Sequence, residues 1–306
     1  MSTAPLHITV PSDASRLPVT LPILQEKKRL GDPIVMVTAY DFPSARAAEA
    51  AGVDIVLVGD SGAMTVLGYP STVEVTTDEL LVLARAVRRG LRSPFLVADL
   101  PFGSYEVSDE QAVQTALRFV KEAGADAVKL ERGNATSVAR ARAIVAAGIL
   151  VMGHVGLTPQ TSVALGGYRA QGRSGSAATA IAQEALALER AGCFSIVFEA
   201  IPAQVSEELV PLLEVPVIGI GAGPATDGQV LVFHDLLGIR EGRGARFVQR
   251  YAELQPEMDA GVAAYAADVR ARRYPRAEHS YSIDDLELSQ FRAELGTLAA
   301  TTREPR

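Results

Sequence analysis

From about Ile23 onward, short apolar runs alternate along the chain with longer stretches of helical spacing. The short runs are rich in β-branched residues and predict eight strands, at 35–39, 54–59, 95–100, 127–131, 150–155, 195–200, 215–220 and 230–233. The longer stretches, rich in Ala, Leu, Glu and Arg, predict helices that include 44–51, 77–89, 109–123, 137–147, 177–191 and 203–213. Several end at a glycine that suits a left-handed C-cap, namely Gly52, Gly90, Gly124, Gly148 and Gly192.

The alternation of strands and helices predicts an α/β fold. Nearly continuous apolar strands indicate a parallel sheet that is buried on both faces. Eight of them without a break in composition favour a closed (β/α)8 TIM barrel over an open, doubly wound sheet. A barrel of about 250 residues with tails fits a chain of 306 residues.

The segments that flank the repeating pattern set the predicted domain boundaries. Residues 1–20 are rich in Ser, Thr and Pro and predict a flexible arm, 21–281 form a single catalytic barrel domain, and 282–306 form a C-terminal extension. Only 221–229 separate the last two predicted strands, which is too short for an ordinary crossover helix. The region after Gly238 has helical spacing again and is predicted to close the ring.

Charge and composition exclude several classes of protein. A net charge of −7 disfavours nucleic acid as a partner, and the basic stretch 270–273 is interpreted as a solvated helix end. The one cysteine, Cys193, cannot form an internal disulfide. We find no pattern of a secretory signal and no uncharged apolar run of about 18 residues, so we predict a cytoplasmic protein without membrane association.

Five consecutive predicted strands, the second to the sixth, each end in an ionisable residue: Asp60, Asp99, Glu131, His154 and Glu199. Active sites of this fold lie at the carboxyl ends of the strands, so these side chains are predicted to converge. Asp60 and Asp99 offer the oxygen ligands that Mg²⁺ prefers, and Glu131 joins them directly or through a water. The alternative for each acid is that it caps the following helix or pairs with an arginine.

The remaining polar residues of these strands suggest roles in substrate binding and proton transfer. Lys129 lies two residues before Glu131 and shares its face of the strand. One interpretation is that it binds a substrate carboxylate or enolate oxygen, and the other is an internal salt bridge with Asp99 or Glu131; the two are compatible. His154 is either a structural residue or one that contacts a substrate oxygen or moves a proton. Glu199 is the sharper candidate for a general base, against a structural ion pair, and the choice between Glu199 and His154 stays open.

Two other features are given no chemical role. The run Gly219–Gly223 lacks the spacing of a phosphate-binding loop, and we interpret it as a tight exit from the seventh strand. Cys193 precedes the sixth strand and does not close it, so a nucleophilic role is disfavoured.

Seven motifs in this order resemble the 3-methyl-2-oxobutanoate hydroxymethyltransferase family, also called ketopantoate hydroxymethyltransferases. They are Val-Thr-Ala-Tyr-Asp (37–41), Leu-Val-Gly-Asp-Ser (57–61), Val-Ala-Asp-Leu-Pro-Phe (97–102), Val-Lys-Leu-Glu (128–131), Gly-His-Val-Gly-Leu-Thr-Pro-Gln (153–160), Gly-Tyr-Arg-Ala-Gln-Gly-Arg (167–173) and Ile-Gly-Ile-Gly-Ala-Gly (218–223). The resemblance runs from about residue 23 to residue 280.

The resemblance implies a barrel of the phosphoenolpyruvate/pyruvate type and a place in pantothenate and coenzyme A biosynthesis. It implies transfer of a hydroxymethyl group from 5,10-methylenetetrahydrofolate to the 2-oxo acid 3-methyl-2-oxobutanoate through a Mg²⁺-stabilised enolate, which gives 2-dehydropantoate (ketopantoate). Family members form homo-oligomers, often decamers. The implied residues are Asp60, Asp99 and Glu131 for the metal, Ser61, Asp60, Asp99, Lys129 and His154 for the substrate, and Glu199 with His154 for catalysis.

One departure and two rival functions accompany this resemblance. Arg132 stands where the family commonly has a glycine, which affects the shape of that loop. The first rival is a folate-independent carbon–carbon lyase of the same superfamily, disfavoured because such lyases commonly carry a cysteine in a strand-end loop. The second is an inactive binding or scaffold barrel, disfavoured because all five strand-end positions are ionisable.

Overall fold

Eight parallel strands close into a barrel in which each strand pairs with the next in the chain and the last pairs with the first. The computed structural model describes residues 16–164, 166–240, 242 and 244–301. The strands are β1 (Ile34–Thr38), β2 (Ile55–Val58), β3 (Phe95–Asp99), β4 (Ala127–Lys129), β5 (Leu150–Gly156), β6 (Ser195–Glu199), β7 (Val217–Ile220) and β8 (Gly228–Leu231). The predicted fold class is confirmed.

Helices follow most of the strands, as the spacing predicted. They are α1 (Leu21–Leu30), α2 (Phe42–Ala51), α3 (Gly62–Thr65), α4 (Thr77–Gly90), α5 (Asp109–Ala123), α6 (Ala135–Ala146), α7 (Gly175–Arg190), α8 (Ala203–Leu209), α9 (Phe233–Leu236), α10 (Leu254–Arg270) and α11 (Asp285–Thr301). Short 3-10 turns lie at Pro159–Thr161, Val210–Leu212 and Ala277–His279. The sequence did not predict α1, α3, α9 or α11.

The predicted and observed bounds differ where backbone chemistry overrides the hydrophobic spacing. The helix predicted at 203–213 ends at Leu209 and continues as a 3-10 turn around Pro211, because proline lacks the amide hydrogen that an α-helix needs. The connection between β7 and β8, residues 221–227, contains no helix, as its length predicted.

The predicted left-handed C-cap at Gly90 is wrong. Gly52 and Gly124 are left-handed C-caps with φ of 71° and 67°, as predicted. Gly90 is instead the last residue of α4, and the residue after it caps the helix in an extended conformation. A Cβ atom at Gly90 would lie 2.6 Å from the Cβ of Ala45, so glycine is needed here for the close approach of α2 and α4.

Apolar side chains pack in two layers. The inner layer fills the barrel with residues that include Met36, Ile55 and Phe95, and Leu24 of α1 belongs to it and is fully buried. Full burial of one such leucine stabilises the fold by about 1.5–3 kcal/mol. The outer layer packs the strands against the helices. At the carboxyl ends of the strands, several of the buried side chains are polar.

The chain divides into two compact units, Met1–Ala252 and Glu253–Arg306. The first unit contains the barrel, and the second contains α10 and α11. The domain boundaries drawn from the sequence stay predictions. Among the described residues, no helix combines the length and the apolar character needed to cross a membrane.

Candidate active site

The predicted ionisable residues gather at the carboxyl ends of β2 to β6. Asp99 and Glu199 are the last residues of their strands, Asp60 and Glu131 each follow a strand by two residues, and His154 lies within β5. All are buried except Glu199, whose side chain is 16% exposed. The parallel register brings them to one level of the barrel.

Asp99 connects the second strand to the fourth. Its Oδ2 accepts a hydrogen bond of 2.9 Å from the backbone amide of Asp60. Its Oδ1 lies 2.6 Å from Nζ of Lys129, the residue that pairs with Asp99 in the register of β3 and β4. The salt bridge predicted as one interpretation of Lys129 is therefore present.

His154 lies between two carboxylates. Its Nδ1 is 3.5 Å from Oε1 of Glu131, and its Nε2 is 3.3 Å from Oε2 of Glu199. Burial and Lys129 each lower the pKa of His154, but the interactions with Glu131 and Glu199 outweigh them and raise it to about 9. The ring therefore carries a positive charge at neutral pH.

Ser61 contacts a tyrosine to which the sequence assigned no role. Its Oγ lies 2.8 Å from the hydroxyl oxygen of Tyr40, a buried residue of the outer apolar layer. Burial raises the pKa of Tyr40 to about 12, so the phenol stays neutral. Tyr40 belongs to one of the motifs quoted above, but its position after β1 does not by itself reveal this contact.

Gln160 and Tyr105 were also missed. Gln160 is buried in the 3-10 turn after β5, and its Nε2 donates a hydrogen bond of 2.9 Å to Oδ2 of Asp60. The hydroxyl of Tyr105 donates a hydrogen bond of 2.7 Å to Oε1 of Gln160. Both residues come from loops, whose course the periodicity does not predict.

The buried charges of the site do not balance. It contains four carboxylates and two cations, namely Asp60, Asp99, Glu131 and Glu199 with Lys129 and protonated His154. Burial, followed by repulsion from Asp99 and Glu131, raises the pKa of Asp60 well above its usual range. With all six groups ionised the excess is two negative charges, and the raised pKa of Asp60 means that this charge is unfavourable without a bound cation.

This excess fits a divalent cation. Mg²⁺ binds one or two protein carboxylates and fills its remaining positions with water and substrate oxygens. Asp60 and Asp99 supply hard oxygen atoms on neighbouring strands, which suits Mg²⁺ better than softer metals. In the part of the chain that the structure describes, no group of three or more His, Cys, Asp or Glu forms a preassembled metal cage. The residues fit a cation held by two carboxylates.

Arg132 and Cys193 complete the set of residues singled out from the sequence. Arg132 has a φ of 72°, in the left-handed region that favours glycine. Cys193 lies two residues before β6, and burial raises the pKa of its thiol to about 12. A thiol that stays protonated at neutral pH is a poor nucleophile.

Comparison with known proteins decides the family. The family model described as ketopantoate hydroxymethyltransferase matches residues 18–277. The chain belongs to this family. It is 52% identical to the 3-methyl-2-oxobutanoate hydroxymethyltransferase of Moorella thermoacetica, over 88% of this chain and 99% of that one. It is 48% identical to the mitochondrial 3-methyl-2-oxobutanoate hydroxymethyltransferase 1 of Arabidopsis thaliana, over 92% of this chain and 82% of that one.

Solved structures of other enzymes share the fold. A phosphonopyruvate hydrolase solved with oxalate and Mg²⁺ aligns with a TM-score of 0.57 at 15% identity, over 92% of this chain and 98% of that one. A 2,3-dimethylmalate lyase of the PEP mutase/isocitrate lyase superfamily aligns with a TM-score of 0.52 at 17% identity, over 92% and 98%. At these identities the likeness concerns the barrel alone.

Proposed function

We propose that the protein transfers a hydroxymethyl group from 5,10-methylenetetrahydrofolate to 3-methyl-2-oxobutanoate and so forms 2-dehydropantoate. The observation that carries this proposal is the 52% identity to a 3-methyl-2-oxobutanoate hydroxymethyltransferase along nearly its whole length. The product places the reaction in pantothenate and coenzyme A biosynthesis.

The reaction requires removal of one proton and formation of one carbon–carbon bond. A base takes the proton from C3 of the 2-oxo acid, and this carbon bonds to the methylene carbon supplied by the folate. One water provides the hydroxyl oxygen and restores the two N–H bonds of tetrahydrofolate, and the C3 proton ends on the product hydroxyl. The site must therefore hold a base and stabilise negative charge on the substrate oxygens.

Asp60 and Asp99 are the residues that would hold Mg²⁺, with Glu131 alongside. When bound, the cation supplies Lewis-acid stabilisation of charge on the substrate oxygens. Lys129 is held against Asp99 at 2.6 Å and adds a fixed positive charge at the same level of the barrel. Its ammonium stays protonated, because Asp99, Glu131 and Asp60 together outweigh burial and raise its pKa.

Glu199 is the base that the geometry favours over His154. In the metal-free protein, Glu131 and Glu199 raise the pKa of His154 to about 9, which favours a ring with protons on both nitrogens and no lone pair to accept another. Glu199 is the most exposed of the five strand-end residues, so a substrate can reach it. His154 then orients the Glu199 carboxylate through Oε2 and offers a proton to a substrate oxygen, and Ser61 offers a hydroxyl.

The test is an assay of purified protein with both substrates, with Mg²⁺ or with a chelator, and with 2-dehydropantoate detected by mass spectrometry. We expect product only with the metal. Metal-dependent exchange of the C3 proton without product would keep the proton-abstraction site and reject the folate donor, as a folate-independent lyase requires. Neither product nor exchange would favour an inactive binding barrel.

Two further properties remain predictions of this proposal. A homo-oligomer, with a decamer as the family's usual form, is checked by light scattering of the purified protein. The cytoplasmic location is checked by fractionation, since the Arabidopsis relative is named as a mitochondrial protein.

A further inference from the structure

Gln160 is a buried, uncharged residue in the middle of the acidic site. It lies in the turn Pro159–Thr161, which begins three residues after the end of β5, and its exposed fraction is 4%. The proposed chemistry gives it no task, because an amide neither transfers protons nor holds Mg²⁺ well in competition with carboxylates. A buried amide must nevertheless have hydrogen-bond partners, and the identity of those partners is informative.

The partners of Gln160 include carboxylates that belong to two different strands. Its Nε2 donates to Oδ2 of Asp60 at 2.9 Å and to the carbonyl oxygen of Leu100 at 3.0 Å. Its backbone amide donates to Oε2 of Glu131 at 3.1 Å. Its Oε1 accepts from the hydroxyl of Tyr105 at 2.7 Å. One residue therefore fixes Asp60 after β2 and Glu131 after β4 at the same time.

Tyr105 and Leu100 determine which way the amide points. The Leu100 carbonyl can only accept, so the NH₂ group of Gln160 must face it, and Oε1 then faces Tyr105. The Tyr105 hydroxyl must donate its hydrogen to Oε1, while its oxygen lies 3.4 Å from the backbone amide of Glu131. A flipped amide would place Oε1 against the carboxylate of Asp60, which is repulsive.

We propose that Gln160 and Tyr105 act as a positioning pair that holds Asp60 and Glu131 in their cation-binding conformations. This inference rests on the proposed function, which places a divalent cation at these carboxylates. A neutral donor is suited to the task, since it orders a carboxylate without adding a positive charge that would compete with the cation. Lys129, in contrast, already contributes one full charge at Asp99.

The first test removes only the hydroxyl that orients the amide. Tyr105→Phe keeps the ring but leaves Oε1 of Gln160 without its donor. We expect the dissociation constant for Mn²⁺, used as the probe and measured by calorimetry without substrate, to rise about tenfold, since loss of a group that orients a ligand typically costs 10–100-fold. Activity at saturating metal should change much less than the metal concentration needed for half-maximal activity.

A matched control removes a comparable hydroxyl elsewhere. The hydroxyl of Tyr69 donates to Oε1 of Glu79 at 2.6 Å, outside the acidic site. Tyr69→Phe should leave the Mn²⁺ dissociation constant at the wild-type value. This control separates an effect on the cation site from a general effect of losing a tyrosine hydroxyl.

A second variant asks whether Tyr105 acts through Gln160. Gln160→Leu removes the amide at similar volume and should weaken Mn²⁺ binding at least as much as Tyr105→Phe. In the double variant, Tyr105→Phe should add little, because the group that it orients is already gone and only its long contact of 3.4 Å with the amide of Glu131 remains to be lost. If the two residues had only structural roles, each substitution would raise the Mn²⁺ dissociation constant by its own factor, and the double variant would show the product of the two factors.

The outcomes separate this inference from the proposed function. Mn²⁺ affinities within about twofold of wild type, in single variants that circular dichroism reports as folded, would overturn the positioning pair. A double variant whose effect on the Mn²⁺ dissociation constant equals the product of the two single effects would also overturn it, as would a wild-type protein that does not bind Mn²⁺. Should Gln160→Leu not fold, the comparison of Tyr105→Phe with Tyr69→Phe still decides. Metal binding and coupling as expected, without formation of 2-dehydropantoate by the wild type, would overturn only the function.

Discussion

The two ends of the barrel both carry acidic side chains, but the surroundings of these acids differ. At the amino-terminal end, an aspartate directly precedes each of three strands and accepts a hydrogen bond from the backbone amide of the neighbouring strand. The bonds are Val35 N to Asp54 (2.9 Å), Leu96 N to Asp126 (2.8 Å) and Val217 N to Asp227 (2.7 Å). Each aspartate also forms a salt bridge: Arg16 lies 3.2 Å from Asp54, Arg88 lies 3.3 Å from Asp126, and Lys28 lies 2.7 Å from Asp227.

At the carboxyl-terminal end, the acids outnumber their cations. Lys129 and protonated His154 face four carboxylates, and the pKa of Asp60 is raised by burial and by its acidic neighbours. An acid with a backbone donor and a cation stabilises the fold, whereas crowded acids cost stability. The balance of acids and cations, and not residue type, therefore separates the two ends. Asp99 also has a backbone donor and a cation, but it shares Lys129 and His154 with three further carboxylates.

The first prediction compares the loss of turnover when one acid at each end of the barrel is changed. Glu199→Gln should bind 3-methyl-2-oxobutanoate but lower turnover by about 10²–10⁴-fold, because the amide cannot accept the C3 proton. Asp126→Asn, at the other end, should leave turnover per folded molecule unchanged. Deuterium exchange at C3, followed by NMR, measures the step directly. Exchange at the wild-type rate in Glu199→Gln would remove Glu199 from the role of base.

The second prediction concerns the stability of the fold when Asp54 is changed. Asp54→Asn loses the charge that pairs with Arg16 and Lys27 and weakens the bond to the amide of Val35. We expect the free energy of unfolding to fall by about 1–3 kcal/mol, since a buried group loses a charged partner. Urea unfolding followed by circular dichroism measures it. An unchanged midpoint would show that the acids at this end are not structural.

A third prediction concerns pH and the proton that His154 holds. In the metal-free protein, the folded pKa of about 9 exceeds the unfolded value of 6.5, so His154 contributes stability that is complete below pH 6.5 and is lost as pH rises through 9. Nitrogen-15 NMR of the imidazole should show a midpoint near 9. Glu131→Gln removes one of the two carboxylates and should lower that midpoint. A midpoint near 6.5 in the wild type would contradict the charge count of the site.

The smallest effect concerns backbone strain, which also differs between the ends. In the described residues of the barrel unit, two non-glycine residues have left-handed φ, Arg132 at 72° and Ala200 at 49°, and they directly follow Glu131 and Glu199. Arg132→Gly should raise the free energy of unfolding by about 0.5–1 kcal/mol, as relief of strain exceeds the added chain entropy. Thermal melting checks this, and a lower melting temperature would reject strain at Arg132.

The fold and the ionisable part of the site were predictable from the sequence because both follow from repetition. Parallel strands align their carboxyl ends, so a residue such as Asp99 or His154 is placed by counting from an apolar run. Gln160 and Tyr105 were not predictable in this way, since each reaches the site from a loop whose course depends on tertiary contacts. Gly90 was misassigned because helix packing, and not a left-handed turn, requires it there.

We infer that the excess negative charge at the carboxyl ends of the strands serves to bind a divalent cation. Urea unfolding of the wild type, Asp60→Asn and Asp54→Asn, each with and without Mg²⁺, tests this inference. Without the metal, Asp60→Asn should be more stable than the wild type, since it removes a repelled charge, and Asp54→Asn less stable. Mg²⁺ should stabilise the wild type and Asp54→Asn but not Asp60→Asn. Equal stabilisation of all three proteins by Mg²⁺, or no stabilisation of the wild type, would show that Asp60 does not bind the cation.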